Sequence, residues 1–388
     1  MDTTNIDYAI VIAFVLVTLV MGLRAGWNVK DMRDYAVANK TFGTGALVST
    51  LLATNLAGAS VVNAAAELFS VGIIITVITL AVSYSFLVTA LVAPKAANYE
   101  SCFTMGDLMR EFYGVSSGII AGVLGLLSAL LIAGMELIVL GIICESLLGI
   151  PAQWAIVVGG ILLATYVVYG GIRSVTITDV FQFIVLAVFI PVIAYIAVSH
   201  VGGITVLFSQ VPADNLAVFD HPRFSFYLTL FLIWCTPAGM IDPALIQRML
   251  MAKHGYQLRH KYLMAAAFDP SFQLAIMLIG LSGLVLYPYV EAQQVLPHMI
   301  HHLLPVGIKG LAMAGVLAVC TSTIDSYMHA AGLTLVHDVI GPIYKKQGVQ
   351  IDELKWVRIG TVLVSLGAIA IGLYATDILG LAFSALEF

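Results

Sequence analysis

The sequence predicts an all-α integral membrane fold, and three observations carry that prediction. Hydrophobic residues make up 61% of the 388-residue chain and charged residues only 10%, where a soluble domain carries about 25% charged. Apolar runs of about 20 residues, the length that crosses a bilayer as a helix, recur along the whole chain. If the N-terminus is outside, all of the 17 Lys and Arg except Arg223 and Lys309 fall on the cytoplasmic side, as the positive-inside rule requires. No soluble domain is left over, so the chain reads as a single transmembrane domain over 1–388, in a plasma or bacterial inner membrane.

Taken in order, the first run is 7–23. Only Asp2 and Asp7 stand as charges ahead of its apolar stretch from Tyr8, without the basic region and small-residue cleavage site of a signal peptide, so it is retained as a leading helix. Runs at 44–67, 71–93, 116–147, 152–169, 177–199, 225–251, 262–287, 306–337 and 357–375 predict the helices that follow. A last run, 377–388, would reach only about 18 Å as a helix, short of a hydrocarbon core of roughly 30 Å. Cys102, Cys144, Cys235 and Cys320 are dispersed, with neither redox nor metal-binding spacing.

Two of these runs are interrupted. In 44–67, Ala53-Thr54-Asn55-Leu56-Ala57-Gly58-Ala59-Ser60 places small and polar residues mid-span. In 225–251, Cys235-Thr236-Pro237-Ala238-Gly239 places Pro and Gly, both poor helix formers, at a similar depth. Either could be a kink or a close helix contact. As a pair they fit discontinuous helices at equivalent positions of two inverted repeats, the arrangement that marks a midplane binding site. The predicted topology runs these two helices in opposite directions, consistent with five-helix repeats over 44–199 and 225–388 behind the leading helix.

The segment 315–339 is apolar, yet it holds Thr321-Ser322-Thr323 and Asp325. Hydroxyls at membrane depth either bond back to the preceding turn or line a functional site. The paired helix breaks favour a site, because Ser and Thr oxygens with unwound backbone carbonyls make a sodium site in such folds. Ser322 and Thr323 lie about 100° apart on a helix and can touch one ion, while Thr321 points elsewhere. Glu67, Glu136, Asp179, Asp242 and Asp325 fall in or beside apolar runs with no Lys or Arg deep in a span, which suits a cation or proton pathway. Glu67 and Asp242 are expected to reach water; Glu136, deep in its helix, keeps proton coupling open. In 169–182, Gly170-Gly171 permits a tight turn, Arg173 anchors the inner face, and Thr178 or Asp179 can cap the next helix.

Three motifs, YGGIRSVTITDVFQ (169–182), IQRML (246–250) and CTSTIDSYMHAAGLTLVHDVI (320–340), together resemble the sodium/solute symporter family, in order and over nearly the whole chain. The resemblance implies a leucine-transporter-like core of ten helices in two inverted repeats. It implies a sodium ion held by the carbonyls of Ala53, Leu56 and Val319 and the hydroxyls of Ser322 and Thr323. Val319 stands where the family usually has Ala. By position the resemblance places Asn55, Ala57, Ser60, Trp234 and Thr236 around the substrate and Asp179 where the ion is released. Ser60 replaces a sugar-contacting Gln of the sugar carriers, which disfavours a sugar. The family's tenth core helix should follow 372–376, where this sequence stops, leaving the second repeat incomplete.

The function implied is sodium-coupled import of a small organic solute by alternating access, with a preference for a carboxylate or amino acid because helix N-termini favour anions. Two alternatives are a proton-coupled symporter and a transporter-like sensor that binds solute without moving it. No nucleophile–base pair or defined metal set supports an enzyme. His298, His301 and His302, at one-face spacing, read as a solvated external lid rather than a metal site. The partners implied are the solute and the lipid bilayer. Nucleic-acid binding has no support, since the basic residues are spread over the inner loops, and oligomeric state is not legible.

Overall fold

A computed structural model describes residues 3–99, 101–235, 242–348 and 351–375, with the backbone alone at Ala59. The leading helix α1 (Asn5–Gly26) is followed by a short α2 (Met32–Val37), then by α3 (Thr44–Asn55), α4 (Gly58–Val71) and α5 (Thr76–Val92). A short amphipathic α6 (Met105–Tyr113) precedes α7 (Val115–Leu148) and the long α8 (Ala152–Val201). Then come the short helices α9 (Ile204–Gln210) and α10 (Ala213–Leu216), α11 (Phe224–Trp234), α12 (Pro243–Leu250) and α13 (Gly255–Leu286). The chain continues through α14 (Val295–Leu303), α15 (Ile308–Thr334), a π-helical stretch Leu335–Ile340, α16 (Gly341–Lys346) and α17 (Glu353–Tyr374).

Among the described residues, seven helical stretches are long and apolar enough to cross a membrane, and the bent pair α3–α4 makes an eighth. One of the seven counts twice on physical grounds. The 50 residues of α8 would reach about 75 Å at 1.5 Å per residue, far beyond a bilayer. Gly171 divides it with φ 52° and ψ −140°, a conformation glycine alone adopts freely. A Cβ there would also lie 2.5 Å from the Tyr35 carbonyl oxygen. The two expected spans 152–169 and 177–199 are therefore present, but the turn is a single residue. Capping of the second by Thr178 or Asp179 is not what those side chains do: Thr178 bonds back to the carbonyls of Ser174 and Val175, and Asp179 faces another helix.

The core is organised around α15. Of its residues only Ile308, Leu311 and Thr321 are more than slightly exposed, because α1, α3, α7, α8 and α17 surround it. The leading helix belongs to this packing. Asp7 Oδ1 accepts backbone N–H groups of Gly307 and Gly310 at 2.8 and 2.9 Å, satisfying donors that the start of α15 leaves open. At its other end α1 crosses α8 so closely that a Cβ on Gly26 would lie 2.6 Å from the Cα of Gly170.

Candidate ion site

The break between α3 and α4 is built by Leu56 (φ −79°, ψ 61°) and Ala57 (φ −62°, ψ 153°), and the two segments differ in direction by 52°. Leaving helical geometry there frees the last carbonyls of α3 from helix bonding. They meet the hydroxyls of α15. Ser322 Oγ lies 2.9 Å from the Ala53 carbonyl oxygen and 3.0 Å from that of Val319. Thr323 Oγ1 lies 3.4 Å from the Thr54 carbonyl and 3.3 Å from that of Val319. Four expected members, Ala53, Val319, Ser322 and Thr323, thus come together, and Leu56 is buried at the break itself. Thr54 joins them through a backbone atom that side-chain chemistry does not advertise. Thr321 turns away, donating to the Leu317 carbonyl and accepting from Gln182 Nε2 at 2.9 Å.

The substrate candidates are more dispersed. Asn55 precedes the break and Ala57 forms part of it, both half-buried, Ser60 is exposed on α4, and Trp234, at the end of α11, is 51% exposed. Thr236, with most of the 235–239 interruption, lies outside the described residues. On either side of it, α11 ends at Trp234 and α12 starts at Pro243, N-capped by Asp242.

Beneath the hydroxyl pair is a buried polar network that corrects one expectation. Asp179 is not an acid without a basic partner: Arg248 Nη2 lies 2.9 Å from its Oδ2, with both side chains fully buried. The same guanidinium bonds Ser326 Oγ and, at 2.9 Å, Thr50 Oγ1, and Thr50 also bonds Asp179. Asp325 takes the Tyr166 hydroxyl at 2.5 Å and the Thr178 hydroxyl at 3.3 Å. Arg248 stands in the IQRML motif and reads from sequence as a cytoplasmic loop charge, whereas α12 folds it into the bundle. Asp269, a buried acid that no sequence pattern singles out, accepts from Ser83 on α5 at 2.6 Å. Glu67 is exposed, as expected. Asp242 instead accepts the Tyr327 hydroxyl at 2.5 Å besides capping α12.

The sequence profile of the sodium:solute symporter family matches residues 35–382. The chain belongs to that family. Among relatives, a sodium/proline symporter of Staphylococcus aureus is 20% identical over 95% of this chain and 76% of its own length. The human high affinity choline transporter 1 is 23% identical over 96% of the chain and 68% of its own. The sodium-coupled monocarboxylate transporter 1 of Xenopus laevis is 21% identical over 95% and 62%. A solved structure of a sodium-coupled sialic acid symporter, described as substrate-bound and outward-open, superposes with a TM-score of 0.87 at 17% identity, covering 96% of the present chain and 83% of its own. A nucleobase-cation-symport-1 family transporter in a closed conformation gives 0.61 at 16% identity, over 86% and 73%. The fold is therefore leucine-transporter-like, and the symporter is an integral membrane carrier of a small solute with sodium as its coupling ion.

Proposed function

We propose that sodium is bound between the α3–α4 break and α15, by the carbonyls of Ala53, Leu56 and Val319 and the hydroxyls of Ser322 and Thr323, and that its binding drives import of a small carboxylate or amino acid. The observation that carries this reading is the pairing of freed α3 carbonyls with the Ser322 and Thr323 hydroxyls. Hard oxygen donors from two helices suit a small cation, and an ion drawing on both ties the broken helix to the centre of the bundle. In this reading 44–199 and 225–388 are the two repeats, the N-terminus is outside, and sodium enters from there. The solute sits at Asn55, Ala57, Ser60, Trp234 and Thr236, where the start of α4 offers N–H groups to an anion. Asp179 receives the ion on release: Arg248 and Thr50 both engage its Oδ2, while its Oδ1 has no hydrogen-bond partner among the described residues.

A second reading, proton coupling, has its own observation. The Glu136 carboxylate stands so near the start of α4 that a Cβ on Gly58 would lie 2.8 Å from its Oε2, and a buried acid beside the broken helix is where proton uptake would be felt. One experiment separates the two. Protein in proteoliposomes is given an inward sodium gradient, then an inward proton gradient, with a mixed panel of carboxylates, amino acids and sugars outside. We expect uptake of a carboxylate or amino acid under the sodium gradient alone, and its loss in Ser322→Ala and Thr323→Ala. Uptake driven by protons without sodium supports Glu136 and overturns the sodium assignment. Binding of a panel member without uptake under either gradient makes the chain a solute sensor.

A further inference from the structure

The inner ends of α6, α15 and α17 meet in a charged cluster that plays no part in the proposed ion site. His337, in the π-helical stretch, places Nε2 2.8 Å from Asp107 Oδ2 on α6, and its Nδ1 bonds Glu353 at the start of α17. Asp338, the next residue, is fully buried. Its Oδ1 accepts from Thr104 at 2.7 Å, but its Oδ2 is buried with no hydrogen-bond partner among the described residues. Gly106 and Gly122 pack directly on this side chain: a Cβ on Gly106 would lie 2.5 Å from Asp338 Oδ1, and one on Gly122 2.5 Å from Asp338 Cβ. Arg110 reaches Asp107 Oδ1 at 2.7 Å but approaches Asp338 only to 3.6 Å.

From this geometry we infer a divalent transition-metal site of the zinc type, with His337 Nε2, Asp107 and Asp338 as ligands and Glu353 orienting the imidazole. One ligand atom from each of the three lies within 4.8 Å of the others. Tetrahedral zinc, with nitrogen and oxygen ligands at about 2.1 Å, holds its ligands about 3.4 Å apart, so binding requires the ligand atoms to shift by about an ångström. A histidine that gives one nitrogen to a metal commonly gives its other N–H to a carboxylate, which fixes the tautomer; the Nδ1 bond to Glu353 is that arrangement. Charge agrees as well. Three carboxylates face one guanidinium and one imidazole, and a divalent ion with neutral imidazole balances them.

The test needs no knowledge of the solute. Zinc chloride is titrated calorimetrically into the purified full chain in nanodiscs, and cobalt(II) binding is followed by visible absorption. We expect one saturable zinc per chain and the comparatively intense ligand-field bands of tetrahedral cobalt without a sulfur charge-transfer band. His337→Ala and Asp338→Asn should each weaken zinc binding about tenfold or more, and Glu353→Gln, acting through the ligand, about 10–100-fold. Glu353 is the least buried of the four, so its variant keeps the test decisive if a buried substitution fails to fold. The double variant His298→Ala with His302→Ala, at the external histidine pair, should bind as the parent does. Absence of saturable binding, binding undiminished in Glu353→Gln, a sulfur-to-cobalt band, or loss in the external double variant would each overturn the site.

Discussion

Arg248 Nη2 and Asp179 Oδ2 lie 2.9 Å apart with both side chains sealed from solvent, and this pair joins α12 to α8 directly beneath the proposed sodium site. Taking two charges out of water is expensive, so such a pair persists only where further polar groups complete it. Thr50 and Ser326 do so.

Removing one member alone leaves the other buried and uncompensated. Asp179→Ala and Arg248→Ala are each expected to destabilise the folded protein by about 3–5 kcal/mol, whereas Asp179→Leu combined with Arg248→Met should restore much of that loss. Thermal unfolding of the singles and the double in one detergent checks this. A double variant as unstable as the sum of the singles would show that the pair is not a unit.

Asp7 ties the leading helix to the start of α15 by accepting two backbone N–H groups. Asp7→Ala should cost about 1 kcal/mol, the usual loss for a helix-start acceptor, and should increase proteolysis around residues 304–310. Unchanged protease sensitivity there would mean that α1 is not held through this contact.

Close packing of α1 on α8 requires glycine at the crossing. Gly26→Val should destabilise by about 1–3 kcal/mol through overpacking, since its added carbons meet the backbone of Gly170. Gly45→Ala, in open space on α3, should instead be neutral or stabilising by up to about 1 kcal/mol. Melting temperatures of the two variants moving in the same direction would contradict the geometry.

On the short helix α14, burial and then the charges of His302 and His301 lower the His298 imidazole below its ordinary value. A base whose folded value is depressed contributes stability that is present above the unfolded value, about 6.5, and is lost as pH falls through the folded value. The parent should therefore lose more thermal stability between neutral and mildly acidic pH than His298→Gln does. Equal losses would remove His298 as the cause.

What the sequence reveals and conceals follows from how far apart partners stand. Ser322 and Thr323 announce themselves because lipid offers a hydroxyl no partner, and the α3–α4 break is visible as a run of small residues. Arg248 is misread because a charge after an apolar run normally lies in a loop; only the packing of α12 against α3 and α15 buries it. Asp179 reads as a cap beside Gly170-Gly171, but its partner is 69 residues away. The cluster at His337 is harder still, since Asp107 stands 230 residues before it on a short helix with no motif of its own.

The central claim is that Ser322 and Thr323, and not their neighbour Thr321, hold sodium. Equilibrium binding of radioactive sodium to the purified protein measures this without knowledge of the solute. Ser322→Ala and Thr323→Ala are each expected to raise the dissociation constant about tenfold or more, a loss of about 1.4 kcal/mol, while Thr321→Ala leaves it unchanged. If Thr321→Ala weakens binding as much as Ser322→Ala, or if both site variants bind sodium as the parent does, the assignment is wrong.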